Sequence, residues 1–159
     1  MDDRGDVEIA LVSSPQEVED IRTLWREYWD SVGLSPEFQN FAEELRSLPG
    51  AYAAPRGRLL LARVDSRPAG SGAFRPLSEH ACEAKRLYVR PEYRGKGVGK
   101  ALLDRLLAEA RAAGYSEMYG DTLSTMESAL QMYKKIGFVE VGPYSSSPTP
   151  GAIFLKLAL

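Results

Sequence analysis

Apolar positions along this chain switch repeatedly between a period of two and a period of three to four. Val7 to Val12 alternates weakly and predicts a first strand. Ser14-Pro15-Gln16-Glu17 follows with an N-cap, a proline at the first helical position and a capping-box glutamate. Val18, Ile21, Trp25, Tyr28 and Val32 then recur at spacings that predict an amphipathic helix ending at Gly33. Ser35-Pro36 predicts a second helix carrying Phe38, Phe41 and Leu45, stopped by Pro49-Gly50.

Three β-like runs come next: Arg58 to Val64, Ala69 to Phe74 and Cys82 to Val89. Asp65-Ser66-Arg67-Pro68 reads as the turn between the first two, and glycines weaken the second. A helix is expected from about Gly97 to Ala113, with Val98, Leu102, Leu106 and Ala110 on its apolar face and Gly114 just past its end. Met118 to Leu123 predicts a strand. Ser124-x-x-Glu127 is a second capping box, opening a helix to about Ile136 that Gly137 ends. Phe138 to Val141 and Ile153 to Leu157 predict two last strands, joined by a Ser- and Pro-rich loop from Gly142 to Gly151. The order β-α-α-β-β-β-α-β-α-β-β predicts an α/β chain, a mixed sheet covered by helices on both faces.

Between the third β-like run and the helix after it stands Arg94-Gly95-Lys96-Gly97-Val98-Gly99-Lys100. A glycine-rich turn between strand and helix lets backbone approach a ligand, and the helix start offers unpaired N–H groups to phosphate. A Walker A loop would need glycine where Arg94 stands and Ser or Thr where Ala101 stands. A dinucleotide fingerprint would need its third glycine at Leu102 or Lys100. Both readings fail.

Composition narrows the class. The chain has 159 residues, length for one domain spanning 1–159. It carries 44% hydrophobic residues, 26% charged residues and a net charge of −2, a balance that argues against a nucleic-acid partner. One cysteine (Cys82) and one histidine (His80) cannot build a usual zinc site, so no metal is expected. No apolar leader follows Met1-Asp2-Asp3-Arg4 and no long apolar run occurs, so the expectation is a cytoplasmic protein without a membrane partner.

Arg94-Gly95-Lys96-Gly97-Val98-Gly99 matches [QR]-x-x-G-x-[GA], and here the sequence resembles the GNAT family of acetyl-CoA-dependent N-acetyltransferases. Lys85 to Tyr93 is similar to the family's strand leading into its pyrophosphate loop. Ala129-Leu130-Gln131-Met132-Tyr133-Lys134-Lys135-Ile136-Gly137-Phe138 is similar to its second signature. The resemblance implies the GNAT fold, a central mixed sheet of about seven strands flanked by about four helices. It implies acetyl transfer to a primary amine, of a small molecule in the first reading, by direct attack in a ternary complex. The alternatives are acetylation of protein lysines or N-termini, or an acyl-CoA-binding module without catalysis. A homodimer is compatible with it.

On this resemblance acetyl-CoA is the expected cofactor. Its pyrophosphate would lie on the backbone of Gly95, Lys96, Gly97, Val98, Gly99, Lys100 and Ala101, with Arg94 holding the loop and Lys96 and Lys100 adding charge. Leu87, Tyr88 and Val89 would offer main-chain groups to the pantetheine arm. Tyr133 would return a proton to the departing thiolate. An alkylammonium of reference pKa about 10.4 must also lose a proton, which costs roughly 4–5 kcal/mol at pH 7. Glu83 is the first candidate base and Asp121 the second, with a water chain as a further route. Glu83 could instead simply pair with Lys85 on one strand face, and Asp121 could cap helix N–H groups. His80 reads as a loop histidine and Cys82 as a small buried residue. Many family members carry an asparagine seven residues before the tyrosine. That position is Met126 here. Trp25, Tyr28, Trp29, Phe38 and Tyr144, with the loop 145–150, are candidate acceptor lining, Trp29 and Tyr144 foremost. Glu79, Glu83 and Asp121 lean toward a cationic acceptor.

Overall fold

A computed structural model describes residues 6–33, 40–123, 126–144 and 151–159. Phe38, the Ser35-Pro36 helix start, Ser124 and the loop 145–150 lie outside the described residues. Among the described residues the strands are β1 (Val7–Leu11), β2 (Arg58–Val64), β3 (Arg67–Pro76), β4 (Ala81–Val89), β5 (Glu117–Leu123), β6 (Val139–Val141) and β7 (Ala152–Ala158). The helices are α1 (Pro15–Val32), α2 (Phe41–Arg46), α3 (Val98–Ala112) and α4 (Glu127–Ile136).

All seven strands join one sheet in the order β1-β2-β3-β4-β5-β7-β6. Every neighbouring pair is antiparallel except β4 with β5. That parallel ladder is short: it runs from Ala81 opposite Glu117 to Ala84 opposite Gly120. Beyond it β4 continues to Val89 beside β3, and β5 continues to Leu123 beside β7. The sheet therefore opens between β4 and β5, and backbone groups of Lys85 to Val89 that face the gap have no partner in β5. Unpaired backbone of this kind is a ready site for an extended ligand.

Helices cover both faces. Leu102, Leu103, Leu106 and Leu107 of α3 pack with Leu60, Phe74, Ala84, Met118, Tyr133 and Phe138 on one side. Ile21, Leu24, Trp25 and Trp29 of α1 pack with Phe41, Leu45, Leu59, Leu61 and Tyr88 on the other. The α1 start forms as its sequence dictates, with Glu17 accepting from the Ser13 and Ser14 backbone while Ser14 accepts from the Glu17 N–H.

Three elements differ from expectation. The β2–β3 turn is only Asp65-Ser66, both at positive φ, and a register shift near Arg63 absorbs Pro68 into β3. The glycines of β3 are not weak points. A Cβ on Gly72 would meet Leu106 at 3.1 Å, so their absence of side chains lets α3 lie close to the sheet. The second helix is described only from Phe41 to Arg46, with Asn40 as a left-handed N-cap. No helix among the described residues is long and apolar enough to cross a membrane.

Candidate active site

The open gap between β4 and β5 points toward the glycine loop. Gly95 and Gly97 hold φ of +79° and +81°, a conformation costly for any residue with a Cβ. Gly97 is the N-cap of α3 and supplies no side-chain cap. The first α3 bond runs from Ala101 N–H to the Gly97 carbonyl at 3.0 Å. The N–H groups of Val98, Gly99 and Lys100 are thus left for an anion. A Cβ on Gly95 or Gly97 would meet nothing within 4 Å, so the cradle stands open beside the loop. Arg94 Nε donates to the Val89 carbonyl at 3.0 Å and fastens the loop to β4. Arg90 anchors the strand end through Glu27 at 2.7 and 2.9 Å and the Pro68 carbonyl at 3.0 Å. Lys96 is half-buried. Lys100 turns along its own helix to Asp104 at 2.7 Å, so its charge is shared with a carboxylate rather than given wholly to the loop.

Leu87, Tyr88 and Val89 lie on β4 beyond the β5 ladder, with Ser71 opposite Tyr88 and Gly70 opposite Val89. A β-bulge precedes them. Between the Ser71–Tyr88 and Ala73–Lys85 pairs β4 has an extra residue, and Arg86 adopts φ +59° there. Its guanidinium, 5% exposed, grips Glu44 of α2 at 2.8 and 3.2 Å and lies over the Trp29 and Phe41 rings at 4.7 and 5.3 Å. The Ser71 hydroxyl donates to the Arg86 carbonyl at 3.1 Å and accepts from Trp25 Nε1 at 2.8 Å. The bulge is therefore tied to both α1 and α2.

Tyr133 of α4 is buried, its ring edge-to-face with Phe138 at 5.1 Å. Burial pushes its phenol up, with Tyr28 and Asp121 adding to the effect, so it stays protonated through the neutral range. Asp121 lies on β5, one residue past the β4–β5 ladder. It is within electrostatic reach of Tyr28, Tyr133, Tyr144 and Lys85, and no ion pair or hydrogen bond among the described residues occupies its carboxylate. It caps no helix: α4 has Met126 at its N-cap. The Thr122 hydroxyl lies 3.7 Å from the Met126 sulfur.

Glu83 is buried and held. Arg75 Nε donates to Oε1 at 3.1 Å, and Lys85 Nζ stands 3.8 Å from Oε2. Of the two readings the sequence leaves open for Glu83, a base or a partner of Lys85, this geometry favours the paired one, and cross-strand register adds Arg75 directly opposite it. Tyr144 packs edge-on against Tyr119 and Phe154 at 5.2 and 5.1 Å. Its hydroxyl is buried without a close hydrogen-bond partner among the described residues. Burial and the nearby Glu83 carboxylate push that phenol up.

Trp29 is expected foremost in the acceptor lining. It is 3% exposed and stacked on Phe41 at 4.1 Å, so its ring belongs to the α1–α2 core. Its edge borders a cavity of about 370 Å³ whose lining contains neither the loop nor Tyr133, Asp121 or Tyr144. A second cavity, of about 260 Å³, is lined by Glu43, Glu44, Tyr52 and Arg75 among others and lies beside Glu83 through Arg75. Trp25 is fully buried. The acidity expected at the acceptor side is also offset: Arg75, Lys85 and Arg86 cluster there. Sequence reasoning missed Arg75 and Arg86, although a β2-β3-β4 meander would have set Arg75 near Glu83.

Residues 18–138 match the model of the acetyltransferase (GNAT) family. The chain belongs to that family. An uncharacterised N-acetyltransferase of Schizosaccharomyces pombe is 36% identical over 157 residues, covering 98% of this chain and 96% of its own. Among solved GNAT-type structures, an acetyltransferase from Streptococcus agalactiae superposes with a TM-score of 0.81 at 18% identity, over 96% of this chain and 98% of its own. The PaiA N-acetyltransferase of Thermoplasma acidophilum, solved in complex with coenzyme A, gives a TM-score of 0.76 at 21% identity, over 97% and 99%. The seven-stranded sheet and four helices described here are thus the GNAT fold.

Proposed function

We propose that this chain transfers an acetyl group from acetyl-CoA to the primary amine of a small molecule by direct attack in a ternary complex. One observation carries the reading: the N–H groups left open at Val98, Gly99 and Lys100 follow directly in the chain on the stretch of β4 unpaired with β5, and Asp121, one residue past the β4–β5 ladder, is within electrostatic reach of Tyr133. Bound there, acetyl-CoA would supply an acyl group activated as a thioester. The backbone from Gly95 to Lys100 would hold the pyrophosphate, the Ala101 N–H being closed onto the Gly97 carbonyl, with Arg94 keeping the loop in shape. Main-chain groups of Leu87, Tyr88 and Val89 would hold the pantetheine arm in extended form.

The residues beyond the cradle handle protons. Asp121, open to the gap, would accept the proton that an incoming ammonium must lose. Glu83 would act at one remove, fixing Arg75 and reaching Lys85 only at 3.8 Å. Tyr133 would keep its proton at Oη for the departing sulfur, since burial holds the phenol neutral. Thiol release from acetyl-CoA, measured against a panel of small amines beside lysine peptides and peptide N-termini, tests the reading. Turnover of a small amine is expected. Turnover of peptides alone would move the acceptor to protein.

A further inference from the structure

Lys85 is the first β4 residue past the β5 ladder, and it sits on the face that carries Glu83. Its side chain is only 7% exposed. An ammonium has three N–H donors, and burying one without partners is costly. Among the described residues Lys85 makes no hydrogen bond; its one ion-pair partner, Glu83, is 3.8 Å away. Glu83 is already engaged more closely by Arg75, and Glu44 is taken by Arg86. Three buried or half-buried cations thus share two carboxylates in direct contact.

Burial, and next the Arg86 charge, push the Lys85 ammonium down from its ordinary range. The Tyr144 hydroxyl, buried and without a close hydrogen-bond partner among the described residues, also looks to Glu83, which adds to the demand on that carboxylate. Asp121 follows Gly120, the last β5 residue of the ladder, as Lys85 follows Ala84 opposite it; its half-buried carboxylate is within electrostatic reach of Lys85 and has no hydrogen bond or ion pair among the described residues. A cation and an anion that flank one opening, each lacking a close partner, complement a ligand with both charges.

Resting on the acetyl-transfer reading above, we propose that the acceptor carries a carboxylate close to its amine, as an α-amino acid does, with Lys85 anchoring the carboxylate and Asp121 facing the ammonium. Such a ligand gives Lys85 the counter-ion that Glu83 supplies only at a distance. It also orients the nitrogen toward the Tyr133 end of the gap. Polyamines and plain alkylamines lack the group that Lys85 requires.

The test uses the full chain, acetyl-CoA and thiol release, with the standard amino acids each run beside its own carboxamide. In the unaltered protein the best free acid should exceed its amide at least tenfold in kcat/KM. In Lys85→Met that acid-to-amide ratio should fall at least tenfold, with the change in KM, and Lys85→Arg should recover part of it. Equal use of acids and amides by the unaltered protein would overturn the proposal without any variant, so a poorly folding Lys85→Met leaves it testable. A Lys85→Met loss that is the same for both acceptors would overturn it too, marking Lys85 as a structural partner of Glu83. Thiol release with amides, polyamines or peptides but with no free acid would overturn the carboxylate proposal and leave acetyl transfer standing. No release with any acceptor would overturn both.

Discussion

Replacing Glu44 by alanine should be among the most damaging single changes in this chain, although Glu44 touches neither the glycine loop nor Tyr133. Its carboxylate accepts two bonds from the Arg86 guanidinium at 2.8 and 3.2 Å and a third from the Tyr52 hydroxyl at 3.0 Å. Arg86 is 5% exposed and Glu44 14%, so water entering from the cavity that Glu44 lines replaces the lost partner only in part. Breaking a buried pair on one side leaves an uncompensated charge, which costs about 3–5 kcal/mol. For a chain of this length that lowers the melting midpoint by roughly 6–20 °C, at 2–4 °C per kcal/mol. Urea unfolding of Glu44→Ala, Arg86→Met and the double variant measures it. The pair should show a coupling energy of about 1–3 kcal/mol, the double variant losing less than the sum. A Glu44→Ala cost below about 1 kcal/mol, the level of an exposed pair, or simple additivity, would refute the view that this pair pins the β4 bulge.

Two further outcomes follow from the geometry. Glu17→Gln should cost about 0.3–1 kcal/mol at pH 7, because glutamine keeps the α1 capping-box acceptor but removes the negative charge from the helix start. The Ser13 backbone N–H is the chief cause that holds the Glu17 carboxyl below its usual value, so its contribution is full above about pH 4.5 and is lost as pH falls further. The difference between the two proteins in urea midpoint should therefore shrink below that pH; a constant difference down to pH 2 would contradict the account. Tyr133→Phe should lower kcat by about 10²–10⁴ with acetyl-CoA affinity by calorimetry unchanged within about twofold (0.4 kcal/mol), and full activity in this variant would remove Tyr133 from the proton-donor role.

Local features of the site were legible in the sequence, and long-range ones were not. Gly95 and Gly97 announce themselves because positive φ is a property of a single residue, and the strand before them and helix after them follow from periodicity. The α1 capping box is equally local. Arg86 is different: nothing near it in sequence signals a bulge, since its partners Glu44, Trp29 and Ser71 come from three other elements. The same holds for Glu83, whose partner Arg75 is set by β3–β4 register. Trp29 could not be placed from sequence, because an aromatic at helical spacing looks alike whether it lines a cleft or, as here, stacks on Phe41. The β4–β5 gap depends on β7 pairing with β5 from the far end of the chain.

The most direct measurement is acetyl-CoA turnover itself. The full chain with acetyl-CoA and the small-amine panel should release free thiol, matched mole for mole by N-acetylated amine. Tight binding of acetyl-CoA with no thiol released beyond its background hydrolysis, across small amines, peptides and amino acids alike, would contradict the account and leave a binding module.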